Sequence, residues 1–317
     1  MLDKLVSFIS TDSLIDGPKI VDPTHEWADF CELECLLATD ILSSEDIKKK
    51  VISSFDFGPE DEVEPPLGLR DDRIVGIIEG AIALMKLRKE LLKDHYPFKI
   101  DKHNQMSRTD EELSNKQILY IMLLLSANLK YINSRQILTS NFEIICLHCM
   151  SSFLPNAKVK LFGSSNTNHI NEEYKFKSSR LKERIEELGQ FTTVDIHKDS
   201  ISQINENNYG DGGLDLVATI DMSDPRISRP VFFAQCACGK NAWQEKQLSI
   251  SENQWAKWLH LYQTSIQKYI FVPAFLMTHD QEWISKTDIT SSILIDRFRI
   301  LSLCKDFDMT VLSYGTI

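Results

Sequence analysis

Apolar positions repeat with a helical period along the first part of the chain. Glu26 to Thr39 carries Trp27, Phe30, Cys31, Leu33 and Leu37 near an i, i+3, i+4 stripe, which predicts an amphipathic helix. Ser43 or Ser44 offers an N-cap for a second helix running through Ile47, Val51 and Ile52. Gly58 to Pro66 is acidic and rich in proline and reads as an exposed loop. Arg70 to Asp94 is the clearest helix, with Ile74, Ile77, Ile78, Ala81, Leu84, Met85, Arg88 and Leu91 in register and Pro97 just beyond it. A polar stretch from Lys102 to Leu113 precedes a further helix, Asn115 to Lys130.

From about residue 135 the pattern becomes an alternation of helices and strands. The expected helices are Phe142–Phe153, Ser179–Leu188, Asn253–Thr264 and Ser291–Cys304. The expected strands are Lys158–Gly163, Thr192–His197, Leu214–Ile220, Pro230–Ala237, Tyr269–Phe275 and Met309–Ser313. Such alternation points to an α/β layer on a central mixed sheet. The predicted organisation is a helical region at 1–134 followed by an α/β domain at 135–317. The helical region shows no repeat and no cluster of ligand-type residues, so packing or partner contact is its expected work.

The chain has 317 residues, enough for two domains, with 43% hydrophobic and 26% charged residues. Its longest apolar run, Ile118 to Leu125, falls far short of the ~18 residues that a membrane span requires. The first residues lack the layout of a secretory signal, so a cytoplasmic protein with no membrane partner is expected. Seven scattered cysteines suit free thiols in a reducing compartment. A net charge of −11 excludes a uniformly basic nucleic-acid binder. It leaves room for basic residues gathered in one cleft, or for a partner that supplies affinity.

The stretch Tyr209 to Trp243 holds the candidate chemistry. Gly210, Gly212 and Gly213 make a turn able to approach a phosphate backbone closely. Asp215 then opens the apolar run Leu216-Val217-Ala218, an expensive place for a carboxylate unless its charge is used. Gln235 is the polar residue near the end of the next apolar run. Adjacent strands of this kind bring a carboxylate and an amide oxygen together, the donors that a hard divalent cation takes. Each residue also has a plainer role: a turn aspartate capping its own loop for Asp215, a strand-end amide for Gln235, and Asp211 as a second-ranked ligand in the turn.

A glycine-rich turn, Asp, an apolar strand, a hairpin, and a second apolar strand ending in an acid or Gln and followed by Lys resembles the PD-(D/E)xK nuclease superfamily. The string Gly212-Gly213-Leu214-Asp215 is similar to the GG-x-D motif of its Mrr-type members. The resemblance covers roughly 140–317. It implies a restriction-endonuclease-like mixed sheet flanked by helices and a metal-dependent nuclease acting on DNA. Bacterial restriction or phage defence is the setting it suggests. It further implies Asp215, Gln235, Lys240 and Glu143 as catalytic residues, and Asp215, Glu143 and Gln235 as ligands of Mg²⁺ or Mn²⁺. Glu143 is assigned from its place beside Phe142 at the expected head of a helix, where the helix dipole alone would also favour an acid. The family lysine is expected two residues after Gln235, where this chain has Ala237, and Lys240 is the nearest lysine. In these roles the cation acidifies a water and offsets phosphate charge, while the lysine orients the water or neutralises the transition state. A homo-oligomer, or a partner protein held through the helical half, would deliver the DNA.

Two rivals come from other classes: a non-catalytic interaction protein that keeps the nuclease-like fold, and a hydrolase using Cys236. Cys146 and Cys149 have CxxC spacing, but within an apolar helix they read as core rather than zinc ligands. Trp255 and Trp258 read first as packing and second as base-stacking rings. Lys246, Lys257, Arg297 and Arg299 are candidate phosphate contacts.

Overall fold

The computed structural model describes residues 1–15, 17–19, 23–38, 41–53, 67–109, 112–163, 170–239 and 242–314. It divides into two compact units: Met1–Arg135 with Phe275–Ile284, and Gln136–Ala274 with Ser285–Ile317. Phe275–Ile284, which the sequence reading gives to the α/β domain, lies in the first unit. The acidic stretch Gly58 to Pro66 lies outside the described residues.

The first unit is mainly helical. Two short helices, α1 (Leu2–Val6) and α2 (Thr11–Leu14), precede α3 (Thr24–Leu37), α4 (Ser44–Ser53) and α5 (Leu67–Leu92). Ser43 starts α4 by a reciprocal cap: its N–H donates to Asp46 Oδ2 at 3.0 Å, and its Oγ accepts from the Asp46 N–H at 3.3 Å. The polar stretch after α5 contains a hairpin that the helical reading missed, β1 (Phe98–Ile100) antiparallel to β2 (Met106–Arg108). Its turn is local chemistry. Asp101 Oδ1 accepts the N–H groups of His103 and Gln105, both at 2.8 Å, and Asn104 adopts φ +62°. Next, α6 (Asn115–Ala127) opens on a capping box of Ser114 and Gln117 and is buried on every side from Leu119 to Leu125.

Inside this unit lies a charged cluster. Arg88, fully buried, meets Asp29 and Glu32 at 2.7 Å each. Tyr96 and Tyr120 donate to Glu32 at 2.8 and 2.7 Å, and Asn128 donates to Asp29 at 3.0 Å. Each named group satisfies another, which is the condition for burying charge at all.

The second unit is α/β. Helix α7 (Arg135–Phe153) leads into β3 (Ala157–Leu161), then α8 (Leu181–Thr192), α9 (Lys198–Ser202), β4 (Leu216–Ile220) and β5 (Val231–Cys236). The remaining elements are α10 (Ala242–Lys246), α11 (Glu252–Trp255), β6 (Ile266–Phe271), β7 (Ile293–Ile295) and α12 (Arg297–Leu303). The sheet order is β3-β4-β5-β6-β7, antiparallel among the first three strands and parallel from β5 to β7. Buried positions on both faces of β5 match its place at the centre.

Four expected elements differ, each for a local reason. Thr192–His197 forms no strand, because Thr193 ends α8 at φ +58° and Ile196 makes only an isolated bridge to Leu259. That bridge, with the His197 N–H donating to the Trp258 carbonyl, also confines the expected Asn253–Thr264 helix to α11. Ser291–Cys304 splits into β7 and α12, since the Asp296 side chain caps the Arg299 N–H at 3.1 Å. Met309–Ser313 is a 3₁₀ turn over Met309–Val311, capped by Asp308. Among the described residues no helix is long and apolar enough to cross a membrane.

Candidate functional site

Asp215 stands immediately before β4 and is buried. Its main chain is held from two sides. Its N–H donates to the Ala234 carbonyl at 3.0 Å, and its carbonyl accepts the N–H groups of Phe162 and Gly163 at 2.7 and 3.2 Å. Its carboxylate accepts the Cys236 N–H at 2.7 Å. The aspartate is therefore bonded on both sides of Gln235, to residue 234 through the main chain and to residue 236 through Oδ2. Gln235 is 4% exposed, and its Oε1 has no hydrogen-bond partner among the described residues. A buried amide oxygen left unsatisfied costs about 1–3 kcal/mol, a cost that a donor or a cation at this place would remove.

Glu143 reaches the same place from α7. A Cβ at Gly163 would stand 3.4 Å from Asp215 Oδ1 and 3.7 Å from Glu143 Oε2. The two carboxylate oxygens are thus no farther apart than the sum of those distances, and a Cβ at Gly163 would lie in ordinary contact with both. Glu143 lies well inside α7, not in its first turn, so the expectation that it heads a helix is corrected and dipole stabilisation no longer accounts for it.

Lys240 lies outside the described residues. Lys246, read from sequence only as a phosphate contact, ends α10 with its Nζ 2.8 Å from the Cys236 carbonyl. Burial pushes the Asp215 carboxyl up to about 6, with Asp211 adding to the effect, against the Cys236 N–H bond and the charge of Lys246. Burial also pushes the Cys236 thiol up to about 11, helped by Asp215 and Glu143. A thiol held protonated at neutral pH is a poor nucleophile, which counts against a hydrolase using Cys236.

The glycine turn is shaped by its own chain. Gly212 and Gly213 adopt φ of +62° and +78°. A Cβ on Gly213 would meet the Ser249 carbonyl oxygen at 2.6 Å, and one on Gly212 would meet Trp258 and Trp255 at 3.2 and 3.3 Å. Close packing against these residues accounts for the two glycines, and the Asp211 carboxylate caps the Gly213 N–H at 2.8 Å. Trp255 is buried edge-on to Phe162 and Phe233, so it packs. Arg297 is buried with its Nε on the Pro273 carbonyl, and Arg299 donates to the Leu294 carbonyl at 2.7 Å. Arg297 is thus shut away from solvent, while Arg299 is half-buried. Cys146 and Cys149 are core residues of α7.

Asp215, Glu143 and Gln235 Oε1 are the oxygen donors that could hold a hard cation here. Among the described residues no group of three or more His, Cys, Asp or Glu side chains gathers as a metal site. A cation at this place would therefore draw on the amide oxygen and on main-chain carbonyls. No family model, no curated protein and no solved structure matches the chain.

Proposed function

We propose that this chain is a divalent-metal-dependent nuclease that hydrolyses phosphodiester bonds of DNA, with a restriction-endonuclease-like second unit. The observation that carries the reading is the approach of Asp215 and Glu143 to the same face of Gly163, with Asp215 bonded to the main chain on both sides of Gln235, whose buried Oε1 has no partner among the described residues. The order of a helix bearing an acid, three antiparallel strands and a parallel return supports the fold assignment.

Asp215, Glu143 and Gln235 would hold Mg²⁺ or Mn²⁺. When bound, such an ion supplies Lewis acidity, acidifying water and offsetting charge on the phosphate. Lys246 takes the role first given to Lys240. Its ammonium, steadied by the Cys236 carbonyl, lies where it offsets negative charge gained by the phosphate during attack. Water adds to phosphorus, the bond to the 3′ oxygen breaks, and a 5′-phosphate and a 3′-hydroxyl remain. With a net charge of −11, the molecule draws DNA affinity from self-assembly or from a partner held by the helical unit. The setting that the resemblance implies, bacterial restriction or phage defence, belongs to the proposal.

Purified protein with Mg²⁺ should nick supercoiled plasmid, and both EDTA and Asp215→Ala should abolish the nicking. A wild-type protein that leaves DNA intact across divalent cations sinks the reading. One observation favours a non-catalytic interaction protein instead: the described residues hold no cluster of three acidic, histidine or cysteine ligands. Wild-type nicking lost in Asp215→Ala decides against it.

A further inference from the structure

Arg184 has no ion pair among the described residues, yet it is 2% exposed on α8. Its guanidinium donates to three main-chain carbonyls: Phe162 through Nη1, and Tyr209 (3.1 Å) and Gly210 through Nη2. It also lies over the Phe162 ring, 5.1 Å from the centroid. Its Nε is buried without a hydrogen-bond partner among the described residues. Burial draws its pKa down, against the attraction of Asp211 and Glu187. A cation kept at that expense on neutral carbonyls is poorly explained by stability alone, because apolar packing fills such space at lower cost.

The carbonyls it holds belong to the two segments that frame Asp215. Phe162 and Gly163 donate their N–H groups to the Asp215 carbonyl, and Gly163 faces both carboxylates. Tyr209 and Gly210 lead into the turn that delivers Leu214 and Asp215. One rigid, forked side chain therefore spans both approaches to the aspartate, a task for which guanidinium geometry is suited and a lysine amine is not. We propose that Arg184 is a positioning residue of the candidate cation site, holding the Gly163 segment and the glycine turn so that Asp215 meets Glu143. This rests on the nuclease reading.

The test is calorimetric titration of Mn²⁺ into the full chain, alongside the Mg²⁺ concentration that gives half-maximal plasmid nicking. Outer residues that orient metal ligands typically change affinity 10- to 100-fold when lost. Arg184→Met should therefore raise the Mn²⁺ Kd about tenfold or more, with Arg184→Lys between it and wild type. A purely structural arginine would lower the melting temperature and leave both metal readouts unmoved. A folded Arg184→Met with the wild-type Kd overturns the positioning role. Should that variant not fold, a wild-type Kd in Arg184→Lys overturns it equally. A wild-type protein that binds no Mn²⁺, or an Asp215→Asn variant that binds it as wild type does, overturns the nuclease reading and this inference with it.

Discussion

Asp215 carries a negative charge at neutral pH in a place that resists it, and replacing it by asparagine should stabilise the metal-free protein. The amide keeps the shape, and its oxygen still accepts the Cys236 N–H now bonded to Oδ2. Burial holds the folded carboxyl at about 6 against an ordinary 3.8. Well above both values that difference corresponds to ~3 kcal/mol, which is the ceiling of the expected gain. The sign follows from which state binds the proton more tightly. Below pH 3.8 the group is protonated whether folded or not, and its contribution to stability is intact. Between 3.8 and about 6 the unfolded chain ionises first and that contribution drains away, reaching its full loss above 6. Urea unfolding in EDTA should accordingly show the advantage of Asp215→Asn over wild type growing across that window and then levelling off. Adding Mg²⁺ should stabilise the wild type by mass action and leave the variant unmoved, so that the gap narrows. A variant no more stable than wild type at neutral pH in EDTA refutes the account of Asp215 as a strained carboxylate.

Other substitutions probe the remaining parts. Lys246→Met should slow plasmid nicking by about 10²-fold while leaving the melting temperature close to wild type, and an unchanged rate removes Lys246 from the chemistry. Gly163→Val sets a branched side chain against Asp215 Oδ1 and Glu143 Oε2 and should weaken Mn²⁺ binding in calorimetry; unaltered affinity would show that the gap is not the cation's place. Arg88→Met strands Asp29 and Glu32 without their buried cation and should cost ~3–5 kcal/mol in denaturant unfolding, whereas a loss below about 1 kcal/mol contradicts the cluster's reading as mutually dependent.

The parts of the site that the sequence disclosed are those with a local signature. Asp215 breaks the rule against a charge opening an apolar strand, and Gln235 stands out in a run of apolar residues. Lys246, Gly163 and Arg184 carry no such mark. Lys246 reaches the site only because α10 turns back onto the Cys236 carbonyl. Gly163 matters through the two carboxylates its main chain stands against, and Arg184 through carbonyls more than twenty residues away in the chain. Among the elements, long periodic helices such as α5 and apolar strands such as β4 and β5 lie close to their expected bounds. The misreadings fall where a single cap or bridge outweighs the apolar pattern: Asp296 between β7 and α12, Thr193 after α8, Asp101 in the hairpin. At Asp296 and Asp101 a side-chain carboxylate bonded to the nearby main chain decided the conformation, and at Thr193 a left-handed backbone did.

Because Phe275–Ile284 belongs to the first unit while its neighbours on either side belong to the second, the backbone passes between the units at 135/136, 274/275 and 284/285. Neither unit is a continuous length of polypeptide. Cleavage at residue 135 alone would not release two intact halves, and a fragment beginning there would carry ten residues whose native neighbours had been discarded, Phe275 and its stacking partner Arg88 among them. The chain between β6 and β7 is thus tied by its own backbone to the helical part at both ends of Phe275–Ile284.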